Sequence, residues 1–334
     1  MIKNIFSKCF KNWGFILFLL IILEILIIGM FNSTFLNISN LLYSSSDFMH
    51  IVIVAIPFTL IVITGGIDIS ITSVMGFTSI IFGILFSFFN MPIPIAILLA
   101  LICSSICGVI NGSLVANTDI NPIVITLGTM FLYKGLAVGI AGSSGAVGYN
   151  GITGFPDSFL QLSYGNLGIV PYTLIFILFL GFLFFMLLHM TRLGRQYYLV
   201  GVNKDVAVYS GIAVKFTIIS AYLLTSLCAG IAGIFLTSYF TSARSDLGSD
   251  ALLPALTSVV LGGANINGGS GSIINTLIAC FFIGYLKQGL ISVGVSSDVS
   301  QIVVGILLIL TISLKILSSK IRTIILNKKV LYKI

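Results

Sequence analysis

The chain has 334 residues, 58% hydrophobic and only 7% charged, with a net charge of +7 and a mean hydropathy of +1.18. Soluble domains carry about a quarter charged residues, so this composition excludes an ordinary soluble domain. The apolar runs are continuous rather than alternating, which excludes outer-membrane strands and gives an all-α fold class, a polytopic integral membrane protein.

Lys3, Lys8 and Lys11 precede the first apolar run. That start resembles a signal peptide, but no small-x-small cleavage site follows and the run continues past Glu24. A retained helix one over about 14–30 is therefore expected. Helix two (about 48–64) and helix three (about 70–89) flank the turn GGIDIS, Gly65–Ser70. After MPIP at Met91–Pro94 comes helix four, about 95–116. Helix five starts at Asn121-Pro122, a position proline tolerates, and ends near Ala141. Gly142–Val170, rich in Gly, Ser and Tyr, is the longest external segment. Helix six then runs to a polar island, Arg192–Lys215, which holds Arg192, Arg195, Lys204, Lys215 and Asp205. Helix seven is expected near 216–238, a shorter helix eight near 253–264, helix nine near 273–291 and helix ten near 299–316. Apart from Lys134, Arg244 and Lys287, all sixteen basic residues lie before helix one, in the island or after Leu314. This distribution predicts cytoplasmic N- and C-termini, a cytoplasmic island, and about ten spans in one transmembrane domain covering 1–334. It also argues against nucleic acid as a partner, since no aromatic-interleaved basic groove accompanies the cations.

Few residues carry chemistry. The five cysteines show no metal-ligand spacing, and Cys103 and Cys107 suit helix packing. No nucleophile stands with a base, no carboxylates pair, and His50 and His189 have no partner constellation in sequence. GGANINGGSGS, Gly262–Ser272, is glycine-rich, but no Lys appears before Lys287, so it lacks the residue a P-loop needs. No metal or cofactor is expected, and any ATP dependence must come from a partner. VITGGIDI (Val62–Ile69) and VVLGGANI (Val259–Ile266) share a Gly-Gly at the inner end of a span, which reads either as a tight turn or as an interrupted helix. Asp68 either faces a polar path or caps helix three. Lys134, halfway along helix five, calls for an acid or a carbonyl. Glu24 and Lys287 read as packing or near-interface groups. Gly108/Gly112 and Gly135/Gly139 are GxxxG pairs of the kind that mark close helix contact.

GGIDIS, NPIVITLGT (Asn121–Thr129), GVNKDVAVYSGI (Gly201–Ile212) and VVLGGANINGGSGS together resemble the permease subunits of bacterial ABC importers for ribose, xylose and related sugars. The resemblance runs from about Asp47 to Leu314. SSSDF (Ser44–Phe48), GYNGITGFP (Gly148–Pro156), SYFTSARSDLG (Ser238–Gly248) and GYLKQGL (Gly284–Leu290) resemble the autoinducer-2 import branch of that family. It implies an inner-membrane permease that is not itself an enzyme. Its partners would be ABC ATPase subunits, a second permease, identical or homologous, and an extracytoplasmic binding protein. The same resemblance makes Asn203–Gly211 the helix that seats in the ATPase, bounded by Gly201 and Gly211, with Asn203, Lys204, Asp205, Ala207 and Ser210 as coupling residues. The family usually has an acidic or similar polar residue followed by two alanines, where this chain has Asp205-Val206-Ala207. Thr64, Gly65, Gly66, Asp68, Asn111, Asn121, Thr126 and Thr129 are expected along the path of a polyhydroxylated substrate. Arg244, Asp246 and Asp250 are expected to dock the binding protein. Ribose, rhamnose or another monosaccharide is the alternative substrate, and an ion-coupled secondary transporter the alternative class.

Overall fold

A computed structural model describes residues 13–143 and 151–313. The N-terminal lysines, Gly148–Asn150 and the C-terminal cations lie outside the described residues. Helices in chain order are α1 (Trp13–Phe31), α2 (Ile38–Ser44), α3 (Met49–Ile63), α4 (Ile71–Ser87), α5 (Ile93–Asn117), α6 (Pro122–Ser143) and α7 (Asp157–Tyr164), the last on the external segment. A two-residue hairpin, β1 (Asn166–Leu167) and β2 (Val170–Pro171), leads into α8 (Tyr172–Met190), α9 (Arg192–Val202), α10 (Lys204–Tyr209), α11 (Val214–Tyr239), α12 (Leu252–Leu261) and α13 (Ile273–Ser292). An apolar helix α14, Ser297–Ser313, follows.

Every one of the ten expected positions holds an apolar helix, though among the described residues not all are long enough to cross a membrane alone. Six helices (α1, α5, α6, α8, α11 and α13) are long and apolar enough to cross a membrane; α2 and α3, bent by 61°, make a seventh if taken together. α4, α12 and α14 are shorter. α12, the helix expected over 253–264, has only ten residues. At 1.5 Å per residue it rises about 15 Å, half the hydrocarbon thickness.

The missing half is irregular chain. After α11 the backbone at Ala243 pairs with Ile152 in an antiparallel bridge. The Arg244 N–H donates to Ser79 Oγ at 3.2 Å, and Ser79 is the middle residue of α4. Next, Ser245 lies against Gly76, so closely that a Cβ on Gly76 would strike its carbonyl, and Gly248 lies against Met75. The segment thus descends along α4 before α12 begins. Irregular backbone at membrane depth is tolerated where protein surrounds it, as α4 and α11 do here.

The core is built around α3, of which all fifteen residues are buried. α8, α9, α11, α12 and α13 pack against it, and α11 also carries α4 and α5. An apolar sequence alone does not bury a helix in a membrane, since lipid is equally apolar; close backbone approach does. Gly108 faces the Tyr222 and Leu223 backbone, and Gly112 faces Ile219 Cα, so this GxxxG pair is the contact between α5 and α11. Gly135 and Gly139 have nothing within 4 Å, and that pair stands open on α6. α1 and α13 run side by side in the same direction. Trp13 Nε1 donates to Leu261 O (2.6 Å) just below the start of α13, and Asn32 Nδ2 donates to Ser292 O (3.1 Å) at its end.

Gly108→Leu or Gly112→Leu is expected to lower the apparent melting temperature of detergent-extracted protein, because overpacking of this kind costs about 1–3 kcal/mol. Gly135→Leu is expected to leave the isolated chain unaffected. Equal melting of Gly108→Leu and Gly135→Leu by fluorescence-detected gel filtration would contradict the assignment.

Candidate functional site

At the inner end three segments meet through backbone. α3 stops in a glycine motif: Gly65, at φ +81, sends its N–H to Val62 O (3.0 Å), and the Gly66 N–H reaches Ile61 O (3.0 Å). α12 stops in the same way, with the Gly263 N–H on Val260 O (3.0 Å) and the Ala264 N–H on Val259 O (3.2 Å). Both are helix-ending motifs with a left-handed residue after the cap. The left-handed residue is the first glycine of the first pair and the second glycine of the other, so the two pairs are out of phase by one residue. Their likeness reflects helix-stop chemistry, which is the tight-turn reading.

These two turns touch each other and the island. The Gly269 N–H donates to Ile63 O at 2.8 Å. Gly268 lies against Gly201 and the Gly65 N–H, and a side chain on Gly201 would strike Ile63 O and Gly269 N. Tyr198 OH donates to Gly271 O at 2.8 Å. Gly201 therefore is not the boundary of the coupling helix. It is the next-to-last residue of α9 and sets α9 against the end of α3 and the glycine loop between α12 and α13. Tyr197, fully buried in α9, shares a hydrogen bond with Ser220 (2.9 Å), and burial pushes its phenol up to about 12.

α10 hangs from this joint. Asn203 caps it, accepting the Val206 N–H at 3.0 Å. Gly211 at φ +75 ends it, with the Gly211 N–H on Val208 O and the Ile212 N–H on Ala207 O. Within α10 only Ala207 is buried. Lys204, Asp205 and Ser210 are exposed, as are Val206 (59%), Val208 (59%) and Tyr209 (92%). Arg192, Arg195 and Lys215 are exposed around it.

Above the joint lies a buried polar network, and it gathers several expected path residues. Ser70 donates through N–H (2.8 Å) and hydroxyl (2.6 Å) to Asp68 Oδ1. Asn111 Nδ2 donates to Ser70 Oγ (2.7 Å), and Tyr133 OH donates to Asn111 Oδ1 (3.1 Å) and Cys107 O (3.1 Å). Thr126 Oγ1 accepts the Ile69 N–H (3.2 Å) and donates to Pro122 O (2.9 Å). Asp68 thus closes the turn ahead of α4, tying it to α5 and α6, without capping the helix itself. Asp68, Asn111 and Thr126 are fully buried, and Thr64 and Thr129 nearly so. Asn121 stands apart, exposed, and caps α6 by accepting the Ile123 N–H at 2.9 Å. Ser70, Tyr133 and Tyr222 belong to this cluster although no local signal in the sequence marks them. Tyr222 OH points at Gly66, where a Cβ would lie 2.7 Å away. Tyr222 OH, Asp68 Oδ2 and Ser226 Oγ are buried without a hydrogen-bond partner.

The three expected docking charges are not together on the outer surface. Arg244 and Asp246 form a bidentate pair (2.9 and 2.6 Å) on the segment that descends along α4. Arg244 also lies over the Phe240 ring, 5.6 Å from its centroid. Lys134, exposed on α6, is within electrostatic reach of Asp246. Asp250 is engaged elsewhere, accepting Lys287 Nζ at 2.5 Å with His50 Nε2 at 3.7 Å. Lys287 is therefore an ion-pair residue, and His50 does have a constellation, which is assembled by three elements distant in sequence.

The chain matches the family described as branched-chain amino acid transport system / permease component over residues 40–312. The autoinducer 2 import system permease protein LsrD of Salmonella typhimurium is 45% identical over 301 residues, 90% of each chain. Its counterpart in Yersinia enterocolitica is 46% identical over 309 residues, 92% of each chain. The one in Escherichia coli is 46% identical over 303 residues, 90% of this chain and 91% of its own. No solved structure matches.

Asn111→Ala leaves Ser70 and Tyr133 short of partners and is expected to destabilise the fold by about 1–3 kcal/mol. Tyr222→Phe removes a hydroxyl with no partner and is expected to melt no lower than the parent. A lower melting temperature for Tyr222→Phe would mean that its hydroxyl is paired in the folded protein.

Proposed function

The chain belongs to this family of transport-system permease components, and from that premise we propose that it is the membrane-spanning subunit of a binding-protein-dependent ABC importer carrying autoinducer-2 across the cytoplasmic membrane. The observation that carries the reading is identity of 45–46% over about nine-tenths of both chains with permeases of autoinducer 2 import systems. The whole chain, 1–334, acts as one transmembrane permease domain with both termini in the cytoplasm. It hydrolyses nothing itself; ATP is turned over by partner ATPase subunits, and a second permease, identical or homologous, completes the path.

α10 is the docking element, with Asn203, Lys204, Asp205, Ala207, Ser210 and Gly211 as the coupling residues. An aromatic side chain as exposed as Tyr209, next to two exposed valines, suits a protein interface. Force applied to α10 reaches the end of α3 through Gly201, with backbone touching backbone and no flexible side chain between. The network beyond it (Thr64, Gly65, Gly66, Asp68, Asn111, Thr126, Thr129), with Asn121 at its inner edge, acts as the inner closure of the path rather than as an open lining.

Charges halfway along α4 and α6 are costly against lipid. The Arg244–Asp246 pair and Lys134, beside the open glycines of α6, therefore mark the face that meets the second permease and the wet path. Binding-protein docking passes to the external segment, where Tyr164, Leu167 and Ile169 are exposed.

Reversal of Lys204 and Asp205, or deletion within Lys204–Tyr209, is expected to abolish stimulation of ATP hydrolysis by loaded binding protein in the reconstituted transporter. Substrate affinity of the binding protein should be unchanged, and retained stimulation would sink the coupling assignment. Uptake of autoinducer-2 that survives loss of the ATPase and collapses with an uncoupler would overturn the importer reading. Uptake of ribose or rhamnose in its place would move the substrate.

A further inference from the structure

Between the outer ends of α3, α11 and α13 lies a cavity of about 380 Å³, within the range of small-molecule sites. Its polar lining comes from Asp47, His50, Tyr239, Asp250, Lys287 and Gln288, with Phe48 and Phe240 as aromatic walls. Most of these groups are already paired: Tyr239 OH donates to Asp47 Oδ1 (2.7 Å) and Lys287 to Asp250 Oδ2 (2.5 Å).

His50 is the exception. Its side chain is 8% exposed, yet neither ring nitrogen has a hydrogen-bond partner. Nε2 stops 3.7 Å from Asp250 Oδ1, beyond hydrogen-bond reach. A buried polar group without a partner is costly, so one in a cavity wall points to something in the cavity. A neutral imidazole offers one donor and one acceptor, and a carboxylate oxygen only accepts. A hydroxyl fits between them, accepting from His50 and donating to Asp250. An anion would face two carboxylates, and a cation would face the Lys287 ammonium. Planar polar side chains facing aromatic rings suit a molecule with hydroxyl edges and a carbon face.

We propose that this outer cavity is a binding site on the permease itself for a small, neutral, polyhydroxylated molecule, read by His50 and Asp250. Phe240 is both a wall of the cavity and the ring beneath Arg244, so the site opens toward the charged pair beside α4. The choice of ligand rests on the importer reading; the existence of the site does not.

The test is titration calorimetry on the assembled permease–ATPase complex without binding protein, using autoinducer-2 and, separately, ribose. Saturable binding of either is expected, weakened at least tenfold by His50→Phe, which keeps the ring and removes both nitrogens. Gln288→Leu, on the partly exposed rim, is expected to weaken binding severalfold and serves if His50→Phe does not assemble. No heat from either probe, or equal affinity in both variants, would overturn the site. Import of autoinducer-2 by that same complex with binding protein restored would show that the importer reading survives such a failure, whereas binding without import would separate the two the other way.

Discussion

Everything at the inner end depends on one close approach, that of Gly201 to the Ile63 carbonyl and the Gly269 N–H. α9 can approach the end of α3 and the glycine loop after α12 only because no side chain intervenes. That contact fixes α10 relative to α3, and α3 is the one helix buried on all sides. Backbone against backbone leaves no rotamer between α9 and the end of α3, and that end runs on into the Asp68 turn, which is hydrogen-bonded to α5 and α6. Packed interiors deform little.

The outer half is arranged around the opposite device, a segment that is not helical where a helix was expected. Residues 240–251 lay Arg244 and the exposed Asp246 beside α4 and turn Asp250 toward α13, where a continuous helix would have given its backbone groups intrahelical partners and left the charges to face whichever side the helical period dictated. Irregular chain lets two of the charges pair with each other and the third turn toward α13. It also leaves backbone groups that α4 must satisfy, as Ser79 does for the Arg244 N–H. The short α12 and the placement of these charges are thus one feature: the chain uses up part of its crossing in turns.

Much of this was legible in the sequence. Ten apolar runs stand where ten helices are found, since apolar length is a strong local signal. The resemblance implies a helix over Asn203–Gly211, and those limits coincide with local chemistry, an Asn cap and a left-handed glycine. Gly201 was misjudged as a boundary, since a glycine needed for close approach looks the same in sequence as one needed for φ above zero. The two Gly-Gly pairs align in sequence one residue out of phase for the same reason. Asp47 and His50 cannot be grouped with Tyr239 and Lys287 from sequence: they come from three places more than 40 residues apart, and nothing periodic links them. Arg244, Asp246 and Asp250 stand close in sequence and are expected to act as one docking group, whereas in the fold Arg244 pairs with Asp246 and Asp250 pairs with Lys287.

Three buried polar atoms, Asp68 Oδ2, Tyr222 OH and Ser226 Oγ, lack partners around the joint between α3, α4 and α11. Elsewhere the hydroxyls of these helices bond back to carbonyls three or four residues earlier, as Thr59, Thr78 and Thr225 do. Each unpaired group costs about 1–3 kcal/mol, enough in sum to matter against the marginal stability of a fold. Such a cost is tolerated where a change of arrangement, or a water, supplies the missing partner, and it is least expected in a rigid joint. Tyr222 and Ser226 stand on the α11 face that packs against Gly108, and Tyr222 also reaches Gly66, so the unpartnered hydroxyls lie where the α5–α11 contact meets the turn that ends α3.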